Sequence, residues 1–220
     1  MPEPRKRAPR GQGAALRGEV LRAAMDLLRE TGSEESVSLR AVAGRVGVSV
    51  PSIYLHFSDK QALLDAVCEE VFEALHLALK EASSGAADPF ETLHRQGVAY
   101  VQFALANPEH YRIVMMGTPS DHDPADEIAS GAFGHLLASV TSCVAVGVLE
   151  GDPVQLGMQL WAAAHGIAAL LIAKPRFPWP SVDELVDNTM CAAGIGLAAQ
   201  SRLPHDLSVD DVVARLEALR

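Results

Sequence analysis

Aromatic residues are scarce in this chain of 220 residues, at 5%, and runs rich in Val, Ile, Thr and Tyr are few. That shortage argues against a β-sandwich or barrel, whose strands draw on those residues, and abundant alanine points to helix. Cysteine is rare as well. Cys68, Cys143 and Cys191 are odd in number, far apart and without a C-x-x-C pair, which argues against a disulfide framework or a zinc motif. They read as small buried apolar residues in a reducing compartment. No apolar core of a signal peptide stands at the N-terminus. The longest apolar run, Gly157 to Ala173, is broken by Gln159 and His165. It falls short of the roughly 20 residues a bilayer needs, so a buried helix in a soluble, cytoplasmic protein is expected. Catalytic motifs are missing too: no G-x-S-x-G, no phosphate loop, no H-E-x-x-H. The one dense acid–histidine cluster, Asp121-His122-Asp123, lacks a further ligand at metal spacing. No catalytic residue, cofactor or metal is expected.

What the chain does have is charge of two signs, segregated. The net charge of −10 looks unsuited to nucleic acid. Yet residues 1–60 hold 10 of the 18 Lys and Arg and 7 of the 28 Asp and Glu, a balance of +3, which leaves −13 for the rest. Such asymmetry suggests a basic head that meets phosphate and an acidic body that does not. Hydrophobic residues make up 49%, enough for a core.

The pattern is helical throughout. Residues 1–13, rich in Pro, Arg and Gly, read as a disordered basic arm. Leu16, Val20, Ala24, Leu27 and Thr31 recur at helical spacing, with Gly32 as the stop. Short helices are expected at 39–46 and 50–56. A long one runs from Asp59 to about Ala82 on a stripe of Leu63, Val67, Val71, Leu75 and Leu79. The stretch Ser83 to Pro89 ends it and separates head from body. Body helices are expected near 89–106, 108–116, 124–148, 153–173, 182–200 and 208–219, with Pro89, Pro108, Pro124 and Pro153 in first turns. The fold class is therefore all-α: an N-terminal three-helix head at 14–60, a connecting helix at 61–82, and a helical body at 83–220.

Residues 38–60 carry the chemistry. Ala43 is small where two helices must cross, and Gly47 suits a turn that needs positive φ. Val42, Val46, Val48 and Ile53 are spaced to bury the faces between the helices. Ser49 is placed to cap the second helix, with Pro51 in its first turn. Ser58 and Gln61 read as a capping box for the next. Lys60, and Arg40 before it, lie in first turns, where the helix dipole disfavours a cation unless a phosphate sits there too. These are the marks of a helix-turn-helix that holds double-stranded DNA.

Residues from about 14 to 64, above all Ser38 to Val48 and the Tyr54-x-His56-Phe57-x-x-Lys60 run, resemble the DNA-binding head of the TetR family of regulators. The resemblance implies that Ser49, Val50, Pro51, Ser52 and Tyr54 lie along the recognition helix facing the major groove. Tyr54, His56, Lys60 and Arg40 would grip phosphates, Arg40 also reaching towards a base. His56 reads equally well as a packing and capping residue. Val50, Pro51 and Ser52 offer no bidentate base pair, so thymine-methyl contacts and DNA shape are expected to supply much of the specificity. In the body, Trp161-Ala162-Ala163-Ala164-His165-Gly166 matches the Trp-x-x-x-His-Gly signature of one TetR subgroup.

Segments 153–173 and 182–200 are rich in Ala and Gly and apolar nearly all round, which calls for burial on more than one side. A homodimer through both satisfies that demand and lets two heads read a palindromic operator. Tyr100, Phe103, Tyr111, Met115, Met116, Phe133, Trp161 and His165 are the large or polarizable residues of the central helices. They read one by one as core, and together as the lining for a small apolar ligand. A repressor released by that ligand is the expected function. The competing readings are a helical adaptor that binds no DNA, which would leave Arg40 and Lys60 without purpose, and, more remotely, an enzyme.

Overall fold

The computed structural model describes residues 13–116, 131–200, 202–203 and 208–218. Every regular element among them is helical: α1 Gly13–Thr31, a 3-10 turn Glu34–Ser36, α2 Leu39–Val46, α3 Val50–Tyr54, α4 Lys60–Ala82, α5 Pro89–Ala106, α6 Pro108–Met116, α7 Gly131–Ala145, α8 Pro153–Ala173, α9 Val182–Gln200 and α10 Val209–Glu217. Residues 1–12 of the arm, the Asp121-His122-Asp123 cluster and the expected helix start at Pro124 lie outside the described residues, and Gly13 begins α1.

The chain divides into two compact units. The first holds the residues up to Leu75 together with α6, and the second holds His76–Leu105 and the helices from α7 onward. The division falls inside α4, and its stripe is buried along both parts: Leu63, Val67, Val71, Leu75 and Leu79 are all at most 5% exposed.

In the first unit α1 packs against α2 and α6. Its buried face is Val20, Leu21, Ala24 and Leu28. The expected stripe ran on to Leu27 and Thr31 instead. Thr31 is exposed, and its hydroxyl donates to the Leu27 carbonyl at 2.7 Å, back-bonding that suits a solvated last turn. His110 of α6 donates from Nε2 to the Met25 carbonyl of α1 at 3.1 Å. In the helix-turn-helix, α2 is capped at both ends. The Ser38 hydroxyl accepts from the Ala41 amide at 3.1 Å, and Gly47 ends α2 at φ 76°. Ile53, wholly buried, closes α3 onto this layer, and burial of a side chain its size stabilises by about 2 kcal/mol.

In the second unit α8 packs against α7 and α9. Leu93, Val140, Cys143, Leu149, Leu156 and Leu160 form the core, and Phe90, Leu136 and Leu197 pack on it. Gly194 lets α9 approach α5: a Cβ there would stand 3.1 Å from the Phe90 ring. α8 has the bounds expected from the sequence, Pro153–Ala173, and extends beyond the apolar run itself. Its 21 residues, with a mean hydropathy of 1.6 over an 18-residue window, suffice by length and composition to cross a membrane, so length does not exclude a span. Eight of its residues, Leu156 and Ile167 among them, are instead buried within the chain. The cysteines are free, but only Cys143 is buried; Cys191 is exposed on α9.

Candidate functional site

The recognition segment is short. α3 spans Val50–Tyr54, and Leu55 ends it, so the helix stops before His56. Ser49 occupies the position before the helix, yet its hydroxyl does not cap it; it pairs with the Ser52 hydroxyl at 2.8 Å. Pro51 and Tyr54 are exposed, and Val50, Ser52 and His56 are half-buried. Tyr54 is 55% exposed, and Leu55 beside it 81%. Leu55 is absent from the residues that motif and family resemblance single out. Its signal was an apolar residue at a helix end between two polar-tipped neighbours.

The expected capping box at α4 is not formed. Asp59 caps the helix in place of Ser58, accepting from the Ala62 amide at 2.8 Å, while Ser58 donates to Asp59 at 3.1 Å. Gln61 turns along the helix to Asp65 at 2.9 Å. Asp59 wins because its carboxylate is the stronger acceptor at a helix N-terminus, and these hydrogen bonds hold its carboxyl below the usual range. Lys60 follows at the first helical position. Its Nζ donates to the Glu34 carbonyl at 2.6 Å, tying the 3-10 turn to α4. Arg40 is exposed in the first turn of α2.

The scaffold under this face is fixed at several points. Arg45 of α2 forks onto Glu30 of α1 at 2.7 and 2.5 Å. Arg17 lies 5.3 Å over the ring of Phe57, which is 3% exposed. A short helix with Pro51 and Tyr54 exposed on its outer face is thereby presented on a braced base.

In the second unit, four of the residues expected to line a ligand site come together. Trp161 and His165 stand one turn apart on α8, and Tyr100 faces them from α5. The Trp161 indole donates to the Tyr100 hydroxyl at 3.2 Å, and that hydroxyl lies 3.4 Å from His165 Nδ1. Which of the two donates in that last contact follows from the His165 tautomer. Burial pushes the His165 pKa down, so the ring is neutral near pH 7. Phe133 of α7 meets Trp161 edge to face with centroids 5.9 Å apart. Phe103 is half-buried on α5. Tyr111, buried, and Met115, half-buried, lie on α6 in the first unit. The side chain of Met116 lies outside the described ones.

One polar pair escaped the sequence. Ser139 donates to Gln96 Oε1 at 2.7 Å, and both side chains are buried. Gln96 sits one turn before Tyr100, so a glutamine inside an apolar stripe was its only signal. Large apolar residues also face outward on α8 and α9: Leu170 is 55% exposed, Ile195 53% and Trp161 41%.

Residues 20–67 match the model of the bacterial regulatory proteins of the tetR family, and residues 93–193 match the tetracyclin repressor-like C-terminal domain. The chain belongs to the TetR family. Tetracycline repressor protein class A from transposon 1721 of Escherichia coli is 46% identical over 57 residues, 26% of each chain. The class D repressor of the same organism is 29% identical over 112 residues, 51% of this chain and 50% of its own. The chain thus spans between a quarter and a half of these repressors. HTH-type transcriptional activator FasR of Mycolicibacterium smegmatis is 23% identical over 189 residues, covering 86% of this chain and 83% of its own. Among solved structures, a protein of unknown function from Rhodococcus sp. RHA1 superposes with a TM-score of 0.73 at 30% identity, over 90% of this TetR-family chain and 100% of that one. A TetR family regulator from Marinobacter aquaeolei VT8 shares the fold with a TM-score of 0.65 at 22% identity, over 84% and 98%.

Proposed function

We propose that this chain is a dimeric repressor that holds a palindromic operator and releases it when a small apolar ligand binds the body. The supporting observation is the outward face of α3: exposed Pro51, Tyr54 and Leu55 on a helix whose inner residue, Ile53, is wholly buried. A surface of that kind on a braced helix-turn-helix suits the major groove. Tyr54 and Arg40 meet phosphates, Lys60 supplies its two remaining N–H donors to another, and His56 stands at the rim. Ser49, Val50, Pro51 and Ser52 face base edges, and Leu55 adds an apolar contact to sugar or thymine methyl.

The head is residues 14–60, the connecting helix 61–82, and the body 83–220. Dimerisation runs through 153–173 and 182–200, where Leu170 and Ile195 gain cover. The Trp161-to-Gly166 stretch supports membership of the Trp-x-x-x-His-Gly subgroup. Tyr100, Phe103, Phe133, Trp161 and His165 of the second unit are the proposed ligand contacts. A neutral His165 favours an uncharged ligand group. The ligand acts by binding more tightly to the conformer that fits DNA poorly. The protein works in the cytoplasm.

The test is a gel shift on the duplex upstream of the chain's own gene and on neighbouring promoters. Specific retention that weakens steeply with salt supports the reading. No specific retention on any of them counts against it, and restores the adaptor.

A further inference from the structure

His76 on α4 and His135 on α7 are 59 positions apart in sequence, yet their rings meet in the second unit. The ring centroids are 4.0 Å apart with planes at 70°. Nε2 of His135 points at Nδ1 of His76 in direct contact. Two imidazole nitrogens so arranged converge on one point, and only an electron-poor partner can sit there: a shared proton or a metal cation. Neutral imidazole nitrogen is the commonest ligand for Zn, Ni and Cu, with Zn–N at about 2.0–2.1 Å.

We propose that His76 and His135 form a two-imidazole site for a borderline divalent cation of the Zn2+ or Ni2+ class, which bridges α4 to α7. The backbone on both sides is held. Leu75 and Leu79 flank His76 along α4 at 2% and 4% exposure, and Ser139 and Val140 anchor α7 one turn beyond His135. To admit the cation the two rings must turn apart, since their nitrogens touch. No cluster of three or more His, Cys, Asp or Glu that suits a metal stands among the described residues. Solvent completes the coordination, and the cation exchanges readily, as suits sensing better than a closed structural site. Mg2+, which demands oxygen ligands, is not a partner. The site stands independently of the DNA and ligand reading, and its occupancy stabilises the α4–α7 packing by mass action.

The experiment is Ni2+ titration of the full chain by calorimetry, with His76→Gln, His135→Gln and, as a control, His94→Gln. His94 is a histidine on α5 paired with Asp187 at 2.9 Å. Wild type is expected to bind one Ni2+ per chain, either paired-histidine variant to bind at least about tenfold more weakly, and His94→Gln to bind as wild type. Wild type is also expected to melt about 2–5 °C higher with saturating Ni2+, and to be unmoved by Mg2+. Cu2+ electron paramagnetic resonance of wild type, which needs no variant to fold, is expected to show coupling to two imidazole nitrogens. Absence of binding at millimolar Ni2+, unchanged affinity in both variants, or coupling to fewer than two nitrogens would overturn the site.

Discussion

Lys60 donates its ammonium to the Glu34 carbonyl at 2.6 Å, so the base that reads as a phosphate ligand in the sequence also fastens the α1–α2 connection to α4. An ammonium has three donors, and one is committed here. Lys60→Met is therefore expected to cost stability as well as DNA affinity. Urea unfolding should show a loss of about 1–2 kcal/mol at unchanged m-value. The slope of log K against log salt should fall by about 0.9 for each phosphate contact removed. Lower affinity at full stability would show that the Glu34 bond contributes nothing.

Gly47 ends α2 at φ 76°, and a Cβ there would meet nothing within 4 Å. The cost of Gly47→Ala is thus backbone strain alone, about 1–2 kcal/mol. Thermal melts should show the loss, while the folded variant keeps its DNA affinity. A much larger loss would mean that the turn meets a neighbour.

Tyr54 and Leu55 are mostly exposed, so removing either leaves the fold intact. Tyr54→Ala and Leu55→Ala are each expected to weaken DNA binding by about 1–3 kcal/mol, or roughly 5–150-fold. Melting temperatures should stay within a degree or so of wild type, since surface changes of this kind move stability by about 0.5 kcal/mol at most. Anisotropy titrations with labelled duplex measure the first effect, and melts the second.

His165 is held neutral by burial, its pKa pushed below the ordinary 6.5. The unfolded chain binds that proton more readily than the folded one, so stability is full above about pH 6.5 and declines as pH falls below it. Urea unfolding across pH should show a shallower acid decline in His165→Asn than in wild type. Parallel declines would mean that the ring is as well solvated as in a free peptide.

Much of the head was legible because its signals are local. Gly47 and the buried pair Val42 and Ile53 act within one or two turns, and the α4 stripe keeps a single period from Leu63 to Leu79. Competition between neighbouring acceptors was less legible. Ser58 and Asp59 both suit a cap, and the carboxylate wins; Ser49 prefers Ser52. In the body, Trp161 and His165 stand out in an alanine-rich helix, but their link through Tyr100 comes from a helix some sixty positions away. Gln96 with Ser139, and His76 with His135, meet only by tertiary packing, and no spacing rule reports such pairs. Identity to a known repressor reaches 46%, but over 57 residues alone. Base-reading residues as small as Val50 and Ser52 say little about which DNA is held.

Selection from random duplexes with the purified chain tests the central claim most directly. A dimeric TetR-family regulator should enrich an inverted repeat whose half-site centres lie one helical turn, about 34–36 Å, or a multiple of it apart. Tyr54→Ala should enrich it far less. Recovery of no common sequence, or of a single unpaired half-site by a monomer, would contradict it.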